Sequence, residues 1–119
     1  MSHIGPETLS ELRDSTRELR RLIPDVFTSF ANTHRAALSD GVLDTKTKEL
    51  IALAVSVSKQ CDGCIASHAR GAARAGATRE EVAETLGVSI LMDGGPATIY
   101  GPRALEAFDA FVAPAPAAD

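Results

Sequence analysis

Apolar residues recur at three-and-four spacing along most of the chain, and the interruptions fall at proline, glycine and Asp positions. A first helix is predicted from about Pro6, a favourable first-turn proline, to about Leu22, with Leu9, Leu12, Leu19 and Ile23 as its apolar positions. Pro24 ends it and can open a second helix, where Phe27, Phe30, Ala31, His34 and Leu38 share a stripe; Asp40-Gly41 closes that element. Asp44 is placed to cap a third helix through about Lys59. Its nearly unbroken apolar run, Leu50-Ile51-Ala52-Leu53-Ala54-Val55, predicts a central, buried element. Val55-Ser56-Val57-Ser58 alternates as a strand would, but the segment is too long and too rich in Ala and Leu for one. A fourth helix starts near the cysteines and ends at Gly76, a position suited to left-handed backbone. Thr78-Arg79-Glu80-Glu81 has capping-box spacing and opens a fifth helix to about Met92. After a break at Asp93-Gly94-Gly95-Pro96, a last helix runs from Ala97 to about Val112, with a kink predicted at Gly101-Pro102. Six helices and no convincing strand predict an all-α fold. It forms one domain over residues 1–112, followed by a flexible Ala/Pro tail over 113–119.

Composition adds limits to this picture. With 119 residues, 45% hydrophobic and 24% charged, the chain can bury a core, and disorder as the main state is excluded. Only four Phe, one Tyr and no Trp are present, so core-facing side chains are small. Close helix packing follows, with little buried area per residue, which hints at a core completed between subunits. The net charge of −4 and the lack of a Lys/Arg cluster argue against a nucleic-acid surface; Arg17-Glu18-Leu19-Arg20-Arg21 reads as a solvated helix face. No apolar run of about 18 residues is present, so no membrane span is expected. Met1-Ser2-His3-Ile4-Gly5 lacks the basic start and apolar stretch of a signal peptide, and the expected compartment is the cytoplasm. There, two cysteines are reactive or metal-binding before they are structural.

The chemistry concentrates in Glu49, Cys61-Asp62-Gly63-Cys64 and His68. On one helix Cys61, Cys64 and His68 lie three and four apart and share a face. A Cys-X-X-Cys pair at a helix start can close a small disulfide ring, and the helix N-terminus favours thiolate. His68, one turn on, can take a thiol proton, the usual activation of a cysteine nucleophile. Glu49 borders the apolar side of the preceding helix beside Ala52 and Leu53, so its carboxylate needs a partner; an imidazole would serve. Two other readings compete. The cysteines can be small buried hydrophobes, or Cys61, Cys64 and His68 can hold zinc with Glu49 as fourth ligand. Against zinc, no second Cys/His pair exists. The helix-start argument alone favours Cys61 as the exposed attacking thiol, whereas adjacency to His68 favours Cys64. His34 reads first as a core or interface histidine and second as a residue lining the site. Tyr100 is placed for a subunit contact, Gly94-Gly95-Pro96 lacks the spacing and Lys of a phosphate loop, and His3 has no role.

The stretch Glu49-Leu50-Ile51-Ala52-Leu53-Ala54, eleven intervening residues, Cys-X-X-Cys and then His68 resembles the AhpD-like, carboxymuconolactone decarboxylase family. The likeness extends through Gly41-Val42-Leu43-Asp44 upstream and Ala75-Gly76-Ala77-Thr78-Arg79-Glu80-Glu81-Val82 downstream, over about residues 38–110. It implies an all-helical bundle assembling into trimers or hexamers. It also implies thiol-dependent peroxidase or disulfide oxidoreductase activity on hydroperoxides, with an external dithiol or thiol protein as reductant and no metal or organic cofactor. By position, Cys64 is then the peroxide-attacking thiol, Cys61 the resolving thiol, and Glu49 and His68 the proton relay. One position departs. Alkylhydroperoxidase members can carry a histidine just before the second cysteine, where this chain has Gly63; the departure implies weak or absent peroxide turnover with dithiol–disulfide exchange retained. The decarboxylase branch as a rule lacks the paired cysteines. Two further classes stand beside the redox reading: a lyase working through Glu49 and His68, and a redox-inert binding or assembly protein.

Overall fold

A computed structural model describes residues 3–113, which form six helices. They are α1 (Pro6–Leu22), α2 (Pro24–Leu38), α3 (Thr45–Ser58), α4 (Asp62–Arg74), α5 (Arg79–Asp93) and α6 (Gly95–Val112). The Ala/Pro tail expected after Val112 lies outside the described residues from position 114 onward. Among the described residues no helix is long and apolar enough to cross a membrane.

Local chemistry accounts for most of the boundaries. Proline opens α1 and α2, where its missing N–H and fixed φ cost nothing. Asp44 caps α3 by accepting the Thr47 N–H at 2.8 Å. Gly76, at φ 86°, ends α4 in a Schellman turn, with Ala77 N–H donating to Ala72 O and Gly76 N–H to Ala73 O. Thr78 and Glu81 exchange the two hydrogen bonds of a capping box at 3.1 and 2.8 Å. Lys46 reaches Glu81 from α3 at 2.9 Å, and its hydrogen bond holds the Glu81 carboxyl below the usual carboxylate range. Thr78→Ala is expected to lower the unfolding free energy by about 1 kcal/mol, read as a shift of the urea midpoint at unchanged m-value. An unchanged midpoint would show that the box contributes nothing here. The break before α6 is narrower than its sequence predicts: Gly94, at φ 71°, both ends α5 and caps α6, which starts at Gly95 and continues as helix across Pro102.

The core lies between α3, α4, α5 and α6, around Leu53, Val57, Ile65, Val82 and Phe108. Six of the thirteen buried apolar residues are alanine, so the backbones approach closely, as the composition implies. Ile4 adds to the core from the N-terminal side, and α1 lies across α4.

One expectation is corrected. The third helix is not buried all round. Leu53 and Val57 face the core, whereas Ile51 and Val55 on its other side are each half exposed, because neighbours cover only one of its faces. The apolar stripes of α1 and α2 bury little: neither helix contributes a fully buried residue, and Leu12, Leu19, Ile23 and Phe30 remain exposed. The second helix packs on α1 and α3 and meets α4 only through side chains.

Candidate active site

The turn between α3 and α4 delivers the first cysteine. Gln60 adopts φ 53°, a left-handed conformation usually left to glycine, and α3 closes in a Schellman turn: Cys61 N–H donates to Ser56 O at 3.2 Å and Gln60 N–H to Val57 O at 3.0 Å. Cys61 thereby becomes the N-cap of α4. Its Sγ accepts the Cys64 N–H at 3.2 Å, where Ser or Asp oxygens act at other helix starts. A thiolate at Cys61 is stabilised there by that donor and by the positive end of the helix.

Cys61 and Cys64 are joined as a disulfide, with Cα atoms 5.2 Å apart. The helix-start argument takes the first cysteine to be the more accessible; the structure reverses that order. Cys61 is partly covered as the cap residue, and Cys64, in the first turn, is exposed. Cys64 Sγ is thus the more accessible of the two sulfurs, and Cys61 Sγ is the one on the helix cap.

One turn beyond Cys64 on α4, His68 meets Glu49 of α3, with Nδ1 and Oε2 2.9 Å apart. With Glu49 as the acceptor, Nδ1–H of His68 donates, which leaves Nε2 as the ring atom not engaged by the carboxylate. Glu49 is 5% exposed and His68 is partly buried. A carboxylate so removed from water depends on its hydrogen bond, and it stabilises an imidazolium should the ring take a proton.

Two residues of this site have weaker signals in the sequence. Gly71 lies three residues after His68 on the same helix, and a Cβ built there would overlap the Glu49 carboxylate, 2.7 Å from Oε1 and closer still to Oε2 and Cδ. The absence of a side chain at Gly71 makes the space that Glu49 fills. Its one signal in the sequence is a glycine inside a helix with no turn to explain it. His34 is the second. Rather than joining the core it is exposed on α2, and its ring stacks on His68 with centroids 5.8 Å apart and planes 15° from parallel. Phe30 flanks it at 6.4 Å. The α2 stripe on which His34 and Phe30 fall thus turns toward the site.

The remaining candidates lie elsewhere. Tyr100 packs against the chain's own core under the Arg103 guanidinium, 5.0 Å from its ring centre. His3 pairs with Glu106 at 2.5 Å. Among the described residues no group of three or more His, Cys, Asp or Glu is placed to hold a metal ion.

Comparison with known proteins agrees with this architecture. The family model named "Carboxymuconolactone decarboxylase family" matches residues 24–111. An uncharacterized protein of Cupriavidus necator is 41% identical over 102 residues, covering 86% of this chain and 90% of its own. An uncharacterized protein of the cox locus of Paracoccus denitrificans is 35% identical over 109 residues, covering 92% and 96% respectively. A crystal structure of an apo carboxymuconolactone decarboxylase family protein from Legionella pneumophila superposes with a TM-score of 0.84 at 44% identity. It covers 87% of this chain and 93% of that one.

Proposed function

The chain belongs to the carboxymuconolactone decarboxylase family, and from that membership and its cysteine geometry we propose that it is a two-cysteine thiol peroxidase and disulfide oxidoreductase acting on organic hydroperoxides. The observation that carries the reading is the division of labour at the start of α4. An exposed Cys64 stands one turn from a histidine held by a buried carboxylate, and Cys61 Sγ sits on the helix cap.

In the reduced enzyme Nε2 of His68 takes the Cys64 thiol proton, and Glu49 stabilises the resulting cation. The Cys64 thiolate attacks the terminal peroxide oxygen. An S–O bond forms as the O–O bond breaks, and the leaving alkoxide recovers the proton from His68 as an alcohol. Cys64 is then a sulfenic acid. Cys61 thiolate attacks that sulfur, the S–S bond forms, and hydroxide leaves with a proton as water. An external dithiol returns the pair to thiols by attacking the exposed Cys64 sulfur and expelling Cys61. The site asks for no metal or organic cofactor in this cycle. A reducing compartment such as the cytoplasm suits a pair that must be re-reduced.

Assembly as a homo-oligomer, a trimer or hexamer as the sequence resemblance implies, is part of the proposal. Ile51, Val55, Val88, Leu91 and Met92 are at least half exposed. Such apolar surface is what a subunit contact would cover.

The test is intact mass and free-thiol count on the reduced protein before and after one equivalent of an organic hydroperoxide, for wild type and Cys64→Ser. Rapid loss of both thiols and about 2 Da in wild type only is the expected result. Reaction no faster than that of a free model thiol would overturn the peroxidase reading. Full activity of a Cys61→Ser/Cys64→Ser variant on a lactone would instead favour acid–base lyase chemistry at Glu49 and His68.

A further inference from the structure

The arginines of this acidic chain are unevenly placed. Two neighbouring cavities, of about 750 and 430 Å³, run along the gap between α2 and α4 and share His34, Arg35 and Arg70 in their walls. Arg20 adds to the larger cavity and Arg74 to the smaller. One carboxylate lines the two together, Glu49, and His68 already holds it. None of the four guanidinium groups is paired with a carboxylate among the described residues: Arg35 bonds the Asn32 side-chain oxygen at 3.0 Å, and Arg20 lies 5.7 Å from the Phe27 ring centre. In a protein with a net charge of −4, four cations lining these walls against the single carboxylate of Glu49 make the gap locally positive.

The walls also have an apolar half. Phe27 and Phe30 line the larger cavity on the α2 side. The gap exists because α2 packs on α1 and α3 and meets α4 through the His34–His68 ring stack. Each cavity is of a size that accepts a small organic molecule. Guanidinium forks recognise planar oxyanions, and aromatic rings take the hydrocarbon or ring behind them.

We propose that this gap binds an organic oxyanion with an apolar body, its acidic group on Arg35 and Arg70 and its body against Phe27 and Phe30. The smaller of the two cavities reaches Glu49, and His34, which lines both, stacks on His68. Resting on the redox reading above, a ligand here sits beside the relay carboxylate, which favours an acidic organic hydroperoxide over a neutral one as the substrate class. Carboxylate and phosphate share the required chemistry.

Calorimetric titration of the full chain with octanoate, octyl phosphate and octanamide tests the site without peroxide or reductant. At least one of the two anions is expected to bind saturably, about tenfold or more tightly than the amide, and to weaken as salt is raised. Tighter binding of octanoate identifies a carboxylate ligand and tighter binding of octyl phosphate a phosphate ligand; either supports the site. Arg35→Gln/Arg70→Gln, checked for fold by circular dichroism, should lose that preference for anion over amide. Binding of neither anion, equal binding of the amide, or an anion preference retained in the double variant would overturn the proposal. Because no thiol chemistry is involved, a protein that binds octanoate yet ignores hydroperoxide would keep this site and lose the redox reading. The converse result would keep the redox reading alone.

Discussion

Glu49→Gln is expected to slow the reaction of reduced Cys64 with hydroperoxide by about a hundredfold while leaving the disulfide able to form with a strong oxidant. Glutamine keeps the length and shape of the side chain, so the packing around Gly71 is undisturbed. What it removes is the charge. In the native protein the carboxylate accepts Nδ1–H of His68 at 2.9 Å from a position 5% exposed, where water supplies little compensation. A neutral amide stabilises the imidazolium of the proposed relay far less than a carboxylate does. Its NH₂ can also donate to Nδ1, which moves the ring proton to Nε2 and leaves that atom unable to act as a base. The measurement is the pH–rate profile of Cys64 alkylation and of peroxide reaction, with Cys61→Ser as background so that one thiol reports. A profile and rate identical to the parent would remove Glu49 from the relay.

The second large effect concerns a residue that touches no thiol. Gly71→Ala is expected to lower stability by about 3 kcal/mol, against a gain of about 1 kcal/mol that the same change brings at an unobstructed helix position. The added methyl group falls on the Glu49 carboxylate, so either α3 and α4 separate or the carboxylate leaves His68 and stays buried without its partner. Gly87→Ala on α5, where nothing lies within 4 Å of the new Cβ, serves as the control and should be slightly stabilising. The decisive comparison is a double-mutant cycle. With Glu49→Ala already present the methyl group has room, and Gly71→Ala should then cost little or nothing. Equal cost in both backgrounds would show that the loss comes from elsewhere in α4.

The helix ends were legible because each is decided by neighbours in sequence. Pro6 and Pro24 at first turns, Asp44 and Thr78 as caps and Gly76 at a left-handed C-terminus act within a turn of their own position. The shared face of Cys61, Cys64 and His68 belongs to the same class, since helical spacing alone sets it. The last helix starts at Gly95, two residues before the pattern predicts, because one glycine at positive φ, Gly94, does the work expected of four residues.

What covers a face is a different kind of fact. The period of the pattern shows where the apolar stripe of a helix lies, not which neighbour packs on it. The stripes of α1 and α2 therefore exist without burying any residue fully, and the outer side of α3, for which the pattern predicts burial, is half exposed. His34 shows the cost of this: its stripe faces the site, and the ring rests on His68 of another helix. Gly71 shows it again, since the carboxylate that needs its missing side chain lies 22 positions away along the chain.

The amino-acid sequence by itself determined six helices, their caps, and a dithiol with histidine on one helical face, because these depend on backbone propensities and spacings within a few residues. Only the tertiary structure decided the rest: which cysteine faces out, that Glu49 reaches His68, that Gly71 makes the room for it, and that four arginines converge on one gap beside His34. Those are meetings between helices. They follow from how small alanine side chains let α3, α4, α5 and α6 close together while α2 stays apart, and no local pattern encodes that distance.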